Sequence, residues 1–453
     1  MAKFTISVFG LGYVGLSTAV CFASRGFRVL GVDTHKERVR SVGAGRPTIY
    51  EPGLGKLLAK SIYRGLLSCT ADYRRAVTEA LATFIAVGTP NKADGTIDLG
   101  SIREASRQIG EVLRGKEQWH LVVIRSTVTP GATSQVVKPI IEDASGKECG
   151  TDWGLCMNPE FLREGSAIQD TLRPDRIVIG EHDKRSGDHL ENLYKQFHRG
   201  DRPPILRMSL TNAEIVKYAS NAFLAMKVSY INMIADLCER IPGADVSEVA
   251  NGIGLDKRIG PLFLKAGLGY GGSCFPKDLK ALQGFAQNVG AHLPMVNAII
   301  KVNELQPSKA VELMKRFVNS LKGKRIAILG LSFKPDTDDV REAVSIKVIK
   351  ALLDDGAEVV AYDPVATRNA RRILGGRVAY AQSALECMAG ADACIVVTEW
   401  EEFKRLRPED FLKTMKTPVV IDGRRIFDPK NFQDKVRFAA VGLGTSDRAP
   451  RDP

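Results

Sequence analysis

Residue types able to do covalent chemistry are concentrated in Gly267-Leu268-Gly269-Tyr270-Gly271-Gly272-Ser273-Cys274-Phe275-Pro276-Lys277-Asp278. Glycines at four of the first six positions let a backbone approach a ligand closely and reach positive φ without penalty. Pro276 suits the first position of a helix. The Cys274 sulfur would then sit near a helix N-terminus, where partial positive charge favours a thiolate. Lys277 adds a cation, and Asp278 lies one helical turn beyond. A buried structural cysteine beside a glycine-rich turn fits the same residues, since free cysteine is among the most buried types. Lys217 is a second candidate, four residues before Asn221 and so on the same helical face. Such a lysine either has a partner or snorkels to the surface. Glu160 and Glu164, around Arg163, are also four apart. The spacing predicts one helical face, serving a cleft or a solvated salt-bridged turn.

The segment 209–240 that carries Lys217 contains no Gly or Pro, and Thr211-Asn212-Ala213-Glu214 fits a capping box at its start. Ile215, Ala219, Ala222, Phe223, Met226 and Ile231 cover most of its circumference, which predicts a helix buried in the protein or in a subunit interface. At 453 residues the chain predicts two or three domains. The net charge of +12 favours anionic partners, but the basic residues are spread along the chain rather than blocked, so nucleic acid is not expected. Eight cysteines without a CxxC pair and six histidines without HExxH exclude a recognisable metal motif. No apolar run approaches the ~20 residues that span a bilayer. With no signal-peptide pattern either, a cytoplasmic enzyme or binding protein is expected.

Near the N-terminus, Phe4–Phe9 reads as a buried strand. Gly10-Leu11-Gly12-Tyr13-Val14-Gly15, a helix to Ala23 and a strand Arg28–Asp33 follow. This is the strand–GxGxxG–helix–strand–acid arrangement of a dinucleotide-binding unit, with Asp33 placed for ribose hydroxyls and against a 2′-phosphate, so NAD is the expected cofactor. Strands near 82–87 and 120–125 end at Gly88-Thr89-Pro90 and Ser126-Thr127-Val128. Thr89, Ser126 and Thr127 therefore either line the cofactor cleft or simply form turns. Helical patterns fill 279–321, and Lys322-Gly323-Lys324 marks a boundary. A second strand–helix–strand pattern runs over 325–363, with Gly330-Leu331-Ser332 lacking the later glycines, so pyrophosphate binding of the first kind is not expected there. Strands at 393–397 and 419–422 follow, and the polar tail 445–453 is expected to be disordered.

In their order these motifs, with Gly88-Thr89-Pro90, Ser126-Thr127-Val128, Asn158-Pro159-Glu160-Phe161-Leu162-Arg163-Glu164 and Gly271–Asp278, resemble the UDP-glucose/GDP-mannose dehydrogenase family along essentially the whole chain. Gly254–Gly260 leading into Phe263–Gly267 is most similar to the branch acting on UDP-glucose, with the GDP-mannose branch as the alternative. The resemblance implies an α/β fold of two Rossmann-like domains joined by a long central helix. The expected division is an NAD-binding domain at 1–205, a helical dimerisation and cysteine region at 206–320 and a UDP-sugar domain at 321–453. It also implies a four-electron oxidation of the sugar C6 alcohol to UDP-glucuronate, a precursor for polysaccharides, with two NAD and a covalent intermediate on Cys274.

The same resemblance assigns general-base work to Asp278 and a water held by Thr127, and charge stabilisation to Lys217 and Asn221. Glu164 would direct the hydrolytic water, with Glu160 in the same loop. Cofactor contacts carry over to Gly10, Gly12, Tyr13, Val14, Gly15, Asp33, Arg38, Thr89, Ser126, Thr127, Glu164, Lys277 and Arg341. Substrate contacts carry over to Glu160, Phe161, Leu162, Arg163, Glu164, Lys217, Asn221, Phe263, Leu264, Lys265, Ala266, Gly267, Gly271, Lys334 and Arg424. Arg258 would reach a partner subunit's site in a homodimer. A β-hydroxyacid dehydrogenase, which uses no cysteine, and an NAD sensor with a dead site are the competing readings.

Overall fold

Short runs of aliphatic residues, buried on both faces, form parallel strands covered by helices. A computed structural model describes residues 4–200 and 203–444. Its first sheet comprises β1 (Thr5–Phe9), β2 (Arg28–Val32), β3 (Leu67–Thr70), β4 (Ala82–Ile85), β5 (His120–Ile124), β6 (Trp153–Met157), β7 (Ile177–Glu181) and β8 (Ile205–Ser209). They lie in the order β3-β2-β1-β4-β5-β6-β7-β8, and only the β6–β7 pair is antiparallel. The second sheet comprises β9 (Arg325–Leu329), β10 (Glu358–Tyr362), β11 (Ala379–Tyr380), β12 (Ala393–Val396), β13 (Val419–Asp422) and β14 (Arg437–Ala440). Its order, β11-β10-β9-β12-β13-β14, is parallel throughout. Each sheet reverses direction beside its first strand, at β1/β4 and β9/β12, the position at which open α/β sheets bind ligands. The expected α/β class with two Rossmann-like sheets is what the chain adopts.

Two compact units result: Met1–Ser220 with Lys280–Val289, and Asn221–Leu279 with Gly290–Pro453. The long helix, Leu210–Cys238, has 29 residues. It contributes through Ser220 to the first unit and from Asn221 to the second. Among the described residues no helix is long and apolar enough to cross a membrane. The tail 445–453 lies outside the described residues.

Two local expectations fail, each because a tertiary partner outcompetes a local pattern. Thr211 does not cap the long helix. Ser209 Oγ accepts from Asn212 N–H (3.3 Å), while Glu214, fully buried, accepts from Gly131 and Thr133 N–H (2.5 and 2.8 Å). Residues 158–163 are loop, not helix, so Glu160 and Glu164 share no helical face. Pro159 disfavours a helical Asn158, and the Leu162 N–H is taken by Glu160 Oε2 (2.6 Å). The long helix buries one side within the chain, with Ile231 and Ala235 in the core, and leaves Phe223, Tyr230, Met233 and Leu237 exposed, the face a subunit interface would take.

A buried polar chain runs through the first sheet. Ser7 Oγ bonds Thr83 Oγ1 (2.6 Å), which bonds His120 Nε2 (2.8 Å). Lys116 Nζ lies 3.0 Å from His120 Nδ1 and donates to the Val77 and Ala80 carbonyls. Burial, then the Lys116 charge, pushes the His120 imidazole down to about 3. The unfolded chain therefore binds more protons than the folded one between about pH 6.5 and 3, and stability is lost as pH falls through that window. About 5 kcal/mol is at stake over the whole window. His120→Gln is expected to flatten the loss of urea stability between pH 7 and pH 4. An unchanged pH slope in that variant would exclude His120 as its source.

Candidate active site

In the first unit, the dinucleotide fingerprint folds as its glycines require. Gly10 has φ +88°, and a Cβ there would lie 2.6 Å from the Ala86 carbonyl oxygen. A Cβ on Gly15 would overlap the Gly10 carbonyl, whereas one on Gly12 meets open space. The helix Tyr13–Ser24 starts at Gly12 without a side-chain cap, leaving its N–H donors for an anion. Asp33 accepts from Leu11 N–H (2.8 Å), His35 N–H (2.9 Å) and Arg38 (2.9 Å). Burial alone would raise its carboxyl, but these bonds and the Arg38 charge outweigh it and hold Asp33 below the ordinary carboxylate value. An open cradle at a helix N-terminus with an ionised carboxylate at the end of β2 fits NAD. Thr89 Oγ1 donates to the Thr127 carbonyl (2.9 Å) and Ser126 Oγ to the Val87 carbonyl (2.7 Å). Both hydroxyls brace the loops after β4 and β5.

The loop after β6 is held from three sides. Lys217, 3 % exposed, does not snorkel; its Nζ donates to the Glu160 carbonyl (2.7 Å) and Oε1 (2.9 Å). Asn158 Oδ1 accepts from Arg125 Nη1 (2.6 Å) and Tyr194 OH (2.5 Å). Gly165 N–H donates to Tyr13 OH (2.8 Å) and Glu51 Oε2 (2.7 Å), and Tyr13 OH itself donates to Glu51. The dinucleotide loop and the residue after the buried Glu164 are therefore tied through one carboxylate. Arg163 pairs with Asp170 (2.6 Å), and the Phe161 ring lies under Arg176 (4.1 Å) and Lys217 (5.7 Å).

In the second unit, Cys274 stands where the helix Phe275–Asn288 begins, its carbonyl accepting from Asp278 N–H (2.8 Å). Pro276 is the second helical residue rather than the first. Asp278, 2 % exposed, accepts from Asn221 Nδ2 (2.6 Å) and Lys277 Nζ (2.7 Å). No disulfide joins any of the eight cysteines, and only Cys69 and Cys274 are part-exposed. Burial pushes the thiols of Cys21, Cys69, Cys149 and Cys387 up to about 12.

Gly271 and Gly272 leave room for neighbouring protein groups. A Cβ on Gly271 would overlap the Glu342 carbonyl, and one on Gly272 (φ +83°) would lie 2.7 Å from the Phe333 ring. Gly272 N–H donates to the Arg341 carbonyl (2.9 Å), and Arg424 donates to the Gly269 (2.9 Å) and Val397 (2.6 Å) carbonyls. Asn232 Oδ1 receives Gly267 N–H (2.8 Å), Gln306 donates to the Gly267 carbonyl (2.8 Å), and Asn303 bonds both backbone groups of Tyr270. Sequence reasoning missed these three braces, together with Glu51, Arg125 and Glu214. A lone buried polar residue on an apolar helical stretch, as Asn232 is, was the one available signal.

Of the remaining expected contacts, Leu264 and Ala266 are buried, Lys265 is exposed, and Phe263 has φ +65°. Lys334 lies 5.8 Å over the Phe333 ring, Arg341 pairs with Asp339 (2.6 Å), and Arg258 pairs with Asp256 (2.6 Å) on an exposed turn. At the end of β10, Asp363 accepts from Leu331 and Ser332 N–H, Ser332 Oγ, Trp400 Nε1, and Val365 and Ala366 N–H. Its lone pairs are committed within the protein.

Fold and residues define an NAD-dependent dehydrogenase with a second Rossmann-type domain adapted to another ligand. Three models of the UDP-glucose/GDP-mannose dehydrogenase family match consecutive parts: NAD-binding domain over residues 4–198, central domain over 211–305 and UDP-binding domain over 327–429. The chain belongs to this family and is a nucleotide-sugar dehydrogenase. It is 46% identical over 424 residues to the UDP-glucose 6-dehydrogenase of Haloferax volcanii, covering 93% of this chain and 96% of that one. A Bacillus subtilis UDP-glucose 6-dehydrogenase is 42% identical over 428 residues, covering 94% of this chain and 90% of the relative. The structure of a UDP-glucose dehydrogenase from Pyrobaculum islandicum superposes with a TM-score of 0.90 at 41% identity, covering 97% of this chain and 98% of that one.

Proposed function

We propose that the protein is a UDP-glucose 6-dehydrogenase that oxidises the C6 alcohol to a carboxylate through a covalent intermediate on Cys274. The observation that carries the mechanism is Cys274 at a helix start beside a buried, hydrogen-bonded Asp278. Bound NAD would accept one hydride from C6 in each of two oxidations. Asp278, with a water held by Thr127, takes the O6 proton. The Cys274 thiolate then adds to the aldehyde carbon, giving a thiohemiacetal that cannot diffuse away. Loss of the second hydride leaves a thioester. Water directed by Glu164 opens it, releasing the carboxylate and regenerating the thiol. Lys217 and Asn221 stabilise negative charge developing on the sugar oxygen. Phe263–Gly267, Gly271, Lys334 and Arg424 hold the nucleotide sugar, while Lys277 and Arg341 serve the cofactor. Relatives of 42–46% identity support UDP-glucose as substrate. Initial rates on UDP-glucose and GDP-mannose, with NADH counted per sugar, test this. Two NADH and a preference for UDP-glucose are expected; faster GDP-mannose oxidation would reject the substrate assignment.

We also propose a homodimer in which Arg258 reaches the partner subunit's site. Supporting it, Phe223, Tyr230, Met233 and Leu237 make an exposed apolar stripe along one face of the long helix. Tyr230→Arg with Leu237→Asp is expected to halve the mass seen by light scattering; an unchanged mass would remove this face from the interface. Cysteines without disulfides suit a reducing compartment, which supports work in the cytoplasm.

A further inference from the structure

The 158–163 loop also walls a cavity of about 220 Å³ within the first unit, shared with Arg125, Arg173, Arg176, Tyr194 and His198. Arg125 is 7 % exposed, and all its acceptors are neutral: Thr18 Oγ1 (3.1 Å), Asn158 Oδ1 (2.6 Å) and Tyr194 OH (3.3 Å). Among the described residues no carboxylate pairs with it, and its Nη2 hydrogens meet no protein acceptor. His198, 5 % exposed, lines the same cavity with its Nε2 unpartnered. Burial, then the Arg25 charge, pushes His198 down to about 4, so the ring is neutral at physiological pH and can carry a hydrogen on Nε2.

The acids nearby do not compensate these cations. Asp170 is committed to Arg163 (2.6 Å) and Glu160 to Lys217 (2.9 Å). Four arginines, Arg125, Arg163, Arg173 and Arg176, thus line the cavity against three carboxylates, of which Glu160 also feels the Arg125 charge and Asp175 that of Arg163. A desolvated guanidinium with only neutral partners gains from a charged acceptor. The volume falls below the roughly 300–1,000 Å³ of pockets for drug-sized ligands, which suits an ion of a few heavy atoms rather than a nucleotide.

We propose that this cavity binds a small doubly charged oxyanion, phosphoryl or dicarboxylate, with Arg125 Nη2 and His198 Nε2 as inner donors and Arg173 and Arg176 completing the site. Arg125 also anchors Asn158, so the occupant would bear on the loop that presents Glu160 to Lys217.

The test uses the full chain saturated with NADH and UDP, so that other phosphate-binding positions are filled. Inorganic phosphate and, separately, malonate are titrated calorimetrically at constant ionic strength. One further ion per chain is expected, at a Kd of about 1 mM or below, weakened about tenfold in Arg173→Ser and in His198→Leu and lost in Arg125→Met. Uptake of phosphate alone marks a phosphoryl ligand, and of malonate alone a dicarboxylate. Uptake of neither ion up to about 10 mM overturns the proposal. So does wild-type affinity in both Arg173→Ser and His198→Leu, variants that keep the test decisive should Arg125→Met fail to fold.

Discussion

Cys274→Ser is expected to lower turnover to the acid by on the order of 10³-fold or more while NADH binding survives. A serine hydroxyl at neutral pH is a far weaker nucleophile than a thiolate, and the helix start at Phe275 that would favour the thiolate does little for an alcohol. Cofactor binding should persist because the fingerprint glycines and Asp33 belong to the first sheet, not to the cysteine loop. Burial holds the thiols of Cys21, Cys69, Cys149 and Cys387 near 12 and protonated, so none of these four is suited to take over. Stopped-flow counting of NADH per sugar is the measurement. A variant still forming two NADH per sugar at the parental rate would refute a covalent role.

Lys217→Met should have the second largest effect, and on two separate quantities. Activity is expected to fall about 10²–10³-fold through lost charge stabilisation. Stability should fall by about 3–5 kcal/mol, because Glu160 becomes a buried charge without its partner. Burial raises the Glu160 carboxyl, but the Lys217 charge and the bonds from Lys217 and Leu162 outweigh it and hold it below the ordinary value. In the parent, Glu160 therefore adds stability above its unfolded pKa that is lost as pH falls through the folded one. Without Lys217 burial dominates, the folded pKa lies above the unfolded one, and the penalty present at pH 7 shrinks on acidification. The double variant Lys217→Met with Glu160→Gln separates the effects: stability should return and activity should not. Recovery of both would reduce Lys217 to a structural counter-ion.

Features written in consecutive residues were legible without coordinates. The glycines of residues 10–15, the strand ending at Asp33 and the degenerate Gly330-Leu331-Ser332 are read from short motifs, and each behaves as spacing and backbone sterics require. Lys217 was found because a charge inside an apolar helix needs a partner, although the pattern could not say that Glu160 is that partner. Where a local pattern had a distant competitor, the competitor won. Glu214 left its capping box for the Gly131 and Thr133 amides, and Pro159 and Gly165 bound a loop where the carboxylate spacing suggested a helix.

The sequence by itself determined two mostly parallel α/β sheets, the dinucleotide fingerprint with its acid, and a cysteine at a helix start. These depend on periodicity, turn sterics and helix termini, all set within a few residues. Only the tertiary structure decided that Asn221 and Lys277 hold Asp278, that Glu51 ties Tyr13 to Gly165, and that Gly271 and Gly272 make way for Glu342 and Phe333. Those pairings join residues up to a hundred or more positions apart. They follow from which buried donors and acceptors find each other once the sheets have formed, a condition that no local spacing encodes.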